Sequence, residues 1–222
     1  MPVVLAFDTA GSACSAAVAR GDRVLARERR DMRYGHSEAL LPMIDRVVTA
    51  AGLAPAEIGC VAVTVGPGGF TGIRAGLAAA QGLALATGAC LLGFTGFDAV
   101  AAMQPPGERR LLVALDSRRA DFYVQLFDRL GAPVGAPAAV PPEQLSDWVG
   151  DAAIVVAGDA AAAAAAALPE RDVEIAPESA PDATGVLAAL RRWPHRAAPG
   201  AGALYLRAPD VSFPKSRAAG PA

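Results

Sequence analysis

A glycine-rich segment between two regular elements is the part of the sequence best suited to hold a ligand. An apolar, β-branched run ends at Val65, the next seven residues are Gly-Pro-Gly-Gly-Phe-Thr-Gly, and a helical pattern then begins. A strand, a tight loop and a helix in that order direct backbone N–H groups and the positive end of a helix dipole toward one point, where an anion can bind. The glycine spacing fits neither G-x-x-x-x-G-K-[ST] nor G-x-G-x-x-G, so both familiar mononucleotide loops are excluded.

Two aspartates that each end an apolar strand form a second group of candidate residues. Asp8 is followed by Thr9 and a turn, and Asp116 is followed by Ser117 and a turn; a partner strand follows in both cases. A repeated strand–Asp–turn–strand unit at this separation predicts two related lobes. An Asp or Thr at a strand end also commonly satisfies the N–H groups of its own turn, so these residues alone do not establish a ligand site.

The other residues with catalytic or metal-binding potential do not form a recognisable site. The two histidines, His36 and His195, are far apart and share no carboxylate motif, and no G-x-S-x-G segment is present. Cys14, Cys60 and Cys90 are single, widely spaced and set in apolar sequence. This pattern predicts buried free thiols rather than a disulfide framework or a zinc site. We therefore assign no catalytic residue and no metal ligand.

The composition is that of a globular chain without a basic surplus. Of the 222 residues, 53% are hydrophobic and 19% are charged, which allows a substantial core and excludes disorder over most of the chain. The formal net charge of −2 is not that of a direct nucleic-acid binder, so any role in RNA chemistry would need a partner to hold the RNA. Neither a signal-peptide pattern nor an apolar stretch of membrane-spanning length is present, so we expect a cytoplasmic protein with no membrane partner.

Alternating and helical patterns predict an α/β chain in two parts. Residues 1–104 form the predicted first lobe, with strands at 3–9, 14–20, 23–31, 60–65 and 89–93 and helices at 37–51, 72–87 and 95–103. Residues 105–214 form a shortened second lobe, with strands at 111–117, 121–127 and 154–157 and helices at 141–149, from 160 onward and at 183–192. Ser37 and Thr95 are predicted N-caps. Residues 215–222 are predicted to be a disordered tail.

Four motifs in the sequence resemble the TsaB family, which is also called YeaZ. They are Asp8-Thr9-Ala10, His36-Ser37-Glu38 at a helix start, residues 66–74 followed by Gln81-Gly82-Leu83-Ala84, and Leu204-Tyr205-Leu206-Arg207. The resemblance is dense over residues 1–105 and thin over residues 130–200. One departure is Gly69, where the family usually has serine; the change removes a hydroxyl group and adds backbone freedom.

The resemblance implies an ASKHA-type fold (acetate and sugar kinases, Hsc70, actin) with two lobes of ribonuclease-H-like topology. It also implies a role in forming N6-threonylcarbamoyladenosine (t6A) at position 37 of tRNAs that read codons starting with A. Members of the family are regarded as non-catalytic partners of the paralogous transferase TsaD, and they also engage the ATPase TsaE. The implied assembly is a heterodimer with TsaD, or a homodimer when TsaD is absent, with tRNA bound only through the complex.

The sequence lacks the metal-binding histidine pair of the transferases to which the resemblance relates it. Transferases related to this family hold a metal through a His-x-x-x-His pair near the start of the helix that follows the glycine-loop helix. The corresponding stretch here, residues 94–101, contains no histidine. We therefore expect the chain not to be an enzyme on its own but a required subunit of a threonylcarbamoyl transferase complex.

The helices predicted at 37–51 and 72–87 carry more apolar residues than one core-facing stripe needs. Small residues on the second helix would let another helix pack closely against it, although part of the apolar set must also pack on the chain's own sheet. The resemblance favours a paired-helix interface. The residues expected there are His36, Leu40, Leu41, Ile44, Arg74, Gly76, Leu77, Ala80 and Gln81.

A nucleotide site is the other use that the strand ends and the loop suggest. In kinases of the ASKHA fold, strand-end aspartates orient Mg²⁺ and the attacking group, and glycine turns receive the phosphates. The candidate phosphate loop comprises Asp8, Thr9, Gly66, Pro67, Gly68, Gly69, Thr71 and Gly72. Gly158-Asp159 is a poor substitute for the glycine-rich adenosine clamp of the second lobe. We expect no tightly bound cofactor. Binding of ATP or ADP with Mg²⁺ at a partner interface is the alternative that the sequence does not decide. An autonomous ATP-dependent small-molecule kinase is the alternative function, and a peptidase is a weaker third.

Overall fold

The computed structural model describes residues 2–177 and 180–207. The tail predicted at residues 215–222 lies outside the described residues. Within them, eleven strands form two mixed sheets, and helices pack on both faces of each sheet. None of the helices described there is both long and apolar enough to cross a membrane.

The first sheet has the strand order β11-β5-β4-β1-β2-β3. Its strands are β1 (Val3–Asp8), β2 (Ala13–Arg20), β3 (Arg23–Asp31), β4 (Ile58–Thr64), β5 (Cys90–Phe94) and β11 (Ala198–Pro199). The first three strands are antiparallel neighbours, while β4 and β5 run parallel to β1. The helices of this part are α1 (His36–Ala50), α2 (Phe70–Thr87) and α3 (Gly96–Met103).

The second sheet has the order β10-β9-β6-β7-β8. Its strands are β6 (Arg110–Asp116), β7 (Phe122–Phe127), β8 (Pro133–Val140), β9 (Ile154–Ala157) and β10 (Val173–Ile175), and the helices after β8 are α4 (Leu145–Val149), α5 (Ala161–Ala166) and α6 (Ala183–Arg192). The series β3-β2-β1-β4-β5 in one sheet therefore matches β8-β7-β6-β9-β10 in the other. The predicted duplication is confirmed, with Asp8 and Asp116 at equivalent strand ends.

The helices α3 and α6 form the layer between the two sheets. Helix α6 packs on β1, β2 and β4 through Val186 and Leu187, while α3 packs on β6 and β7 through Phe97 and Val100. The opposite face of the first sheet is covered by α1 and α2, and that of the second by α4 and α5. The predicted division at residue 104 therefore needs a correction, because α6 and β11 return to the first lobe.

Several local predictions are corrected by the structure. Helix α1 begins one residue before Ser37, which lies inside the helix, and the N-cap is Gly35 with a φ of +84°. Strand β8 was not predicted. Cys90 is exposed rather than buried, and it is the direct neighbour of Cys60 across β4 and β5, so these two thiols are not far apart. Thr95 is confirmed as the N-cap of α3, where its side chain accepts a hydrogen bond from the backbone N–H of Asp98.

Helix α2 approaches the turn after β1 so closely that only glycine fits at one of its positions. A Cβ on Gly72 would overlap the carbonyl oxygen of Thr9, whereas a Cβ on Gly82, in the same helix, would meet nothing within 4 Å. We expect Gly72→Ala to lower the free energy of unfolding by about 2–3 kcal/mol, because the backbone must move apart. The matched change Gly82→Ala should raise it by about 0.5–1 kcal/mol through helix propensity.

Chemical denaturation of the two variants measures both effects. Equal and small changes for Gly72→Ala and Gly82→Ala would contradict the close approach of α2 to the β1 turn.

Candidate functional site

Asp8 is a buried carboxylate at the end of β1, and one of its two oxygens has no hydrogen-bond partner among the described residues. It is fully buried, and its Oδ1 accepts a hydrogen bond from the backbone N–H of Ala10 at 3.2 Å. Its Oδ2 and the Oγ1 of Thr64, at the end of β4, are both buried and make no hydrogen bond with the described residues. A buried polar atom without a partner costs free energy, so such atoms are rare away from functional sites.

Burial raises the pKa of Asp8 to about 6, from its ordinary value of 3.8. The hydroxyl of Thr64 lies near enough to lower the pKa somewhat, although it does not reach hydrogen-bond geometry, and the Ala10 N–H lowers it too. The negative charges of Asp182 and Asp159 act in the opposite direction and raise it. The carboxyl is therefore poised to change its protonation state near neutral pH.

The second lobe places its own acidic residues beside this strand end. Asp159 accepts a hydrogen bond from the backbone N–H of Asp116 at 2.9 Å, and the hydroxyl of Ser12 in the first lobe donates to Asp159 at 3.5 Å. Loss of hydration raises the pKa of Asp159 although part of the residue reaches solvent. A Cβ on Gly158 would overlap the carbonyl oxygen of Ala114, so this turn is filled by the chain itself and forms no adenosine clamp.

Most glycines of the predicted phosphate loop contact other parts of the protein. The N–H of Gly69 donates to the carbonyl of Ala10 at 2.8 Å, and the hydroxyl of Thr9 donates to the carbonyl of Gly72, also at 2.8 Å. A Cβ on Gly68 would overlap the carbonyl of Ala10. The glycines therefore serve the close approach of two backbones, and an open cradle for phosphates is not formed at these positions.

The carboxyl-terminal motif closes the loop from the other side. The N–H of Leu204 donates to the carbonyl of Val65 at 2.8 Å, and the carbonyl of Leu204 lies where a Cβ on Gly66 would be; buried Pro67 follows through a cis peptide bond. The ring of Tyr205 lies 5.2 Å from that of Phe70, centroid to centroid. Arg207 continues across to the second lobe, where it forms an ion pair with Asp121.

A cavity of about 250 Å³ lies where α1 and α2 both begin. The first N–H groups of each helix have no partner within their own helix, and both helix dipoles place partial positive charge here. The residues that line it are Thr9, Arg33, Tyr34, Gly35, His36, Ser37, Gly69, Phe70, Thr71, Gly72 and Arg118. Two arginines and two helix N-termini make this cavity electropositive.

Two side chains of this cavity differ in what they can bind. His36 exposes only 7% of its surface and its Nε2 has no hydrogen-bond partner among the described residues, but burial followed by the nearby charge of Arg118 lowers its pKa and favours the neutral ring, so the positive charge here comes from arginine. Arg118 has a φ of +60°, a conformation that is costly for a non-glycine residue, and donates to the carbonyl of Gly11 at 2.7 Å. Gly69 leaves room for this guanidinium, since a Cβ there would lie 3.2 Å from its Nη1.

Sequence reasoning missed Arg33 and Arg118. A sequence signal was present, because Arg33 lies just before the His36-Ser37-Glu38 motif and Arg118 lies just after Asp116-Ser117. Charged residues in turns are, however, usually solvated surface.

The residues predicted for the partner interface divide into two groups. Leu41, Arg74 and Gln81 are exposed, and Leu41 exposes 54% of its surface. The other predicted interface residues are buried within this chain: His36, Leu40, Ile44, Gly76, Leu77 and Ala80. The expectation that Ile44 and Leu77 lie on the outer face is therefore wrong, because both pack in the core under α1 and α2.

The sequence is similar to proteins of one functional group. A family model described as "TsaD: tRNA N6-adenosine threonylcarbamoyltransferase" matches residues 30–174, which is more than half of the chain. The tRNA threonylcarbamoyladenosine biosynthesis protein TsaB of Escherichia coli (strain K12) is 35% identical over 128 residues, covering 57% of this chain and 55% of that protein. An uncharacterized protein of Mycobacterium tuberculosis H37Rv is 36% identical over 214 residues, covering 94% and 93% of the two chains.

The solved structure of YeaZ from Pseudomonas aeruginosa superimposes with a TM-score of 0.79 at 27% identity, and the alignment covers 93% of this chain and all of that one. The chain belongs to the TsaB (YeaZ) family. The similar proteins of Escherichia coli, Haemophilus influenzae and Bacillus subtilis are each named tRNA threonylcarbamoyladenosine biosynthesis protein TsaB. The match spans only about half of the Escherichia coli TsaB, so its activity and partners do not transfer to this chain directly.

The ASKHA fold expected for a TsaB protein is confirmed. An inorganic polyphosphate/ATP-glucomannokinase from Arthrobacter sp. strain KM superimposes with a TM-score of 0.50 at 12% identity, over 85% of this chain and 97% of the kinase. At this identity the likeness concerns the fold alone.

The raised pKa of Asp8 leads to a prediction about stability and pH. Because the folded carboxyl holds its proton more tightly than the unfolded one, its ionisation destabilises the fold as the pH rises from about 4 to about 6, and the full cost is present above pH 6. Asp8→Asn removes this cost while its amide oxygen can still accept from Ala10. We expect the variant to be about 1–3 kcal/mol more stable at pH 7.5, with the difference shrinking toward zero below pH 4.

Urea unfolding of both proteins at a series of pH values measures this difference directly. A variant that is less stable than the parent at pH 7.5 would show that the ionised carboxylate has a compensating partner.

Proposed function

We propose that this chain is a non-catalytic subunit that pairs with a TsaD-type transferase, and engages a TsaE-type ATPase, for t6A formation at position 37 of tRNAs that read codons starting with A. The observation that carries the proposal is an exposed apolar face on α2. No charged residue occurs from position 75 to 87, and the solvent-facing stripe is Ala78, Gln81, Gly82, Leu85 and Ala86. An uncharged helix face of this kind is typical of a protein–protein contact.

Small residues on this stripe suit a partner helix. Ala78, Gly82 and Ala86 let a second helix approach closely, and Leu85, which exposes 87% of its surface, supplies an apolar side chain for the partner to cover. The same face would serve the TsaD-type partner and, when that partner is absent, a second copy of this chain. The two assemblies therefore exclude each other.

The glycine loop and the Gly158 turn are both occupied by neighbouring backbone. The transferase partner would supply the reacting groups, and this chain would stabilise or orient it.

A nucleotide shared with the partner fits the residues at the α1 and α2 N-termini. Arg33, Arg118 and the first-turn N–H groups of α2 would hold a phosphate of ATP or ADP. When bound, the nucleotide would supply negative charge that neutralises this cavity.

The second candidate is an autonomous ATP-dependent kinase. It is favoured by one observation, the buried carboxyl of Asp8 with a pKa of about 6, which is suited to accept a proton from a hydroxyl group. In that case Asp116 would share the site from the second lobe.

The interface prediction can be tested with charge at an exposed position. We expect Leu85→Glu to weaken binding to the TsaD-type partner by at least about tenfold and to leave the melting temperature unchanged, because a buried unpaired charge opposes association. Leu130→Glu is the matched control, since Leu130 exposes 78% of its surface in the second lobe. Isothermal titration calorimetry measures both affinities.

Two further results would bear on the location of the interface. Ile44→Glu should unfold the chain, since Ile44 exposes only 4% of its surface, so it is not a probe of assembly. If Leu85→Glu and Leu130→Glu bind the partner equally well, the apolar face of α2 is not the contact.

The function itself is tested by reconstitution. Purified TsaD, TsaE and the enzyme that makes the threonylcarbamoyl donor are incubated with tRNA, with this chain added or withheld, and t6A is quantified by mass spectrometry. We expect product only with the chain present, and nearly unchanged product with Asp8→Asn. Product that forms equally without the chain would refute the proposal, and ATP turnover by the chain alone that disappears in Asp8→Asn would favour the kinase.

A further inference from the structure

An arginine-rich segment forms one edge of the first sheet. Residues 20–33 contain six arginines and three acidic residues, a net charge of +3 in a chain whose net charge is −2. Four of the arginines lie within β3, which pairs only with β2 and is therefore an edge strand. The arginines of the segment are Arg20, Arg23, Arg27, Arg29, Arg30 and Arg33, and all six are exposed.

The acidic residues of this segment do not neutralise it. Glu28 accepts two hydrogen bonds from Arg46 of α1, at 2.7 and 3.0 Å, and this guanidinium lowers the pKa of the carboxyl. Asp22 lies 3.8 Å from Arg191 of α6. Two of the three acidic charges are thus matched by arginines from outside the segment.

Four of the arginines form no salt bridge, although Arg30 lies near enough to Glu28 to lower the pKa of that carboxyl. Arg20 pairs with Glu57 and Arg29 pairs with Asp31. The remaining members, Arg23, Arg27, Arg30 and Arg33, form no salt bridge with any residue that the structure describes. Exposed guanidinium groups without internal partners are available to bind an external anion.

The positions of these arginines fit an extended polyanion. Residues two apart on a strand are about 6.6 Å apart on the same side, so Arg27 and Arg29 present their charges in a row. Both line a groove of about 330 Å³ against the start of α6, which also contains Glu28 and Asp182. Arg30 lies on the opposite side of the strand, and Arg33, beyond the end of the strand, lines the cavity that contains Arg118. The arginines therefore spread positive charge over both sides of the sheet edge and as far as two helix N-termini.

Protection of an open sheet edge is a second use for charged side chains. The other long edge strand, β8, is protected differently: it contains Pro133 and Pro137 and no charged residue. Strand β3 instead carries four arginines among its nine residues. Edge protection and anion binding do not exclude each other, so the experiment below compares them directly.

We propose that the β3 edge, from Arg23 to Arg33, binds the phosphate backbone of the tRNA in the transferase complex. The inference rests on the proposed function, which brings tRNA to the complex. It changes the expectation that RNA is held by the partner alone, because the partner would hold the target adenosine while this edge holds backbone phosphates. Guanidinium–phosphate contacts position RNA without reading its sequence.

The salt dependence of tRNA binding by the reconstituted complex tests this inference. Arg27→Gln/Arg30→Gln is compared with the matched control Arg110→Gln/Arg129→Gln, which removes two exposed arginines from the second lobe. A fluorescent tRNA transcript is titrated at several salt concentrations between about 50 and 200 mM. We expect the slope of log K against log[salt] to become less negative by about 1.4–1.8 for the β3 variant, because each of the two lost phosphate contacts removes roughly 0.7–0.9.

Turnover and charge rescue give independent readouts. In the t6A assay, the β3 variant should raise KM for tRNA by about tenfold with kcat unchanged. Arg27→Lys/Arg30→Lys, which keeps the charge, should restore most of the affinity. Equal slopes and equal KM values for the β3 and control variants would overturn the inference and leave edge protection as the role of the arginines.

Failure of this inference and failure of the proposed function can be told apart. If t6A forms without the chain, the proposed function is wrong whatever the variants do. If t6A requires the chain but the β3 variant behaves like the control, only the inference fails. Ultraviolet cross-linking of tRNA to the unmodified complex needs no variant: cross-links within residues 20–33 support the inference, and cross-links confined to the partner overturn it.

Discussion

The contact between the turn after β1 and the start of α2 determines how the first lobe is built. The carbonyl of Ala10 accepts a hydrogen bond from the N–H of Gly69, and the hydroxyl of Thr9 donates to the carbonyl of Gly72. Backbones this close exclude side chains at Gly68 and Gly72. Since α2 is seated here, its N-terminus lies beside that of α1, and its opposite face is directed to solvent. The cavity at the two helix N-termini and the apolar face both follow from this contact.

The second lobe repeats this arrangement with different consequences. Its strand order matches that of the first lobe, and the Gly158 turn approaches Ala114 as the Gly68 turn approaches Ala10. The element that follows is short: α5 has 6 residues, whereas α2 has 18. A short alanine-rich helix offers neither a strong dipole nor an extended face for a partner. Of these two equivalent helices, only α2 in the first lobe is long enough to present an extended apolar face to a partner. This difference between the lobes agrees with the proposed role in association.

The sequence was most informative where local chemistry decides structure. The strand ending at Asp8, the Thr95 cap and the helix at 183–192 follow from apolar periodicity and capping, which act over a few residues. Strand β8 was missed because Pro133, Gly135 and Pro137 disfavour strand locally, and only its position at a sheet edge permits them.

Features that depend on distant parts of the chain could not be derived from the sequence. The number of apolar residues in α1 and α2 indicated a surplus, but it did not show that Ile44 and Leu77 face inward while Leu41 and Leu85 face outward. Similarly, Arg33 and Arg118 lie in turns far apart in sequence, and only the packing of the two lobes brings both to one cavity. The net charge of the chain likewise gave no sign of the arginine-rich segment, because the place of β3 at the sheet edge does not follow from composition.

The return of α6 and β11 to the first lobe has a consequence for how the chain acquires its structure. The face of the first sheet that contains Ala6, Ala17 and Ala62 is covered only when residues 183–192 arrive, and the sheet gains its last strand at Pro199. During synthesis the amino-terminal half therefore keeps an apolar surface uncovered until residues 183–199 have left the ribosome. Contacts of such long sequence separation slow folding and lengthen exposure to aggregation. The first lobe is thus a structural repeat that cannot be completed without residues that follow the second.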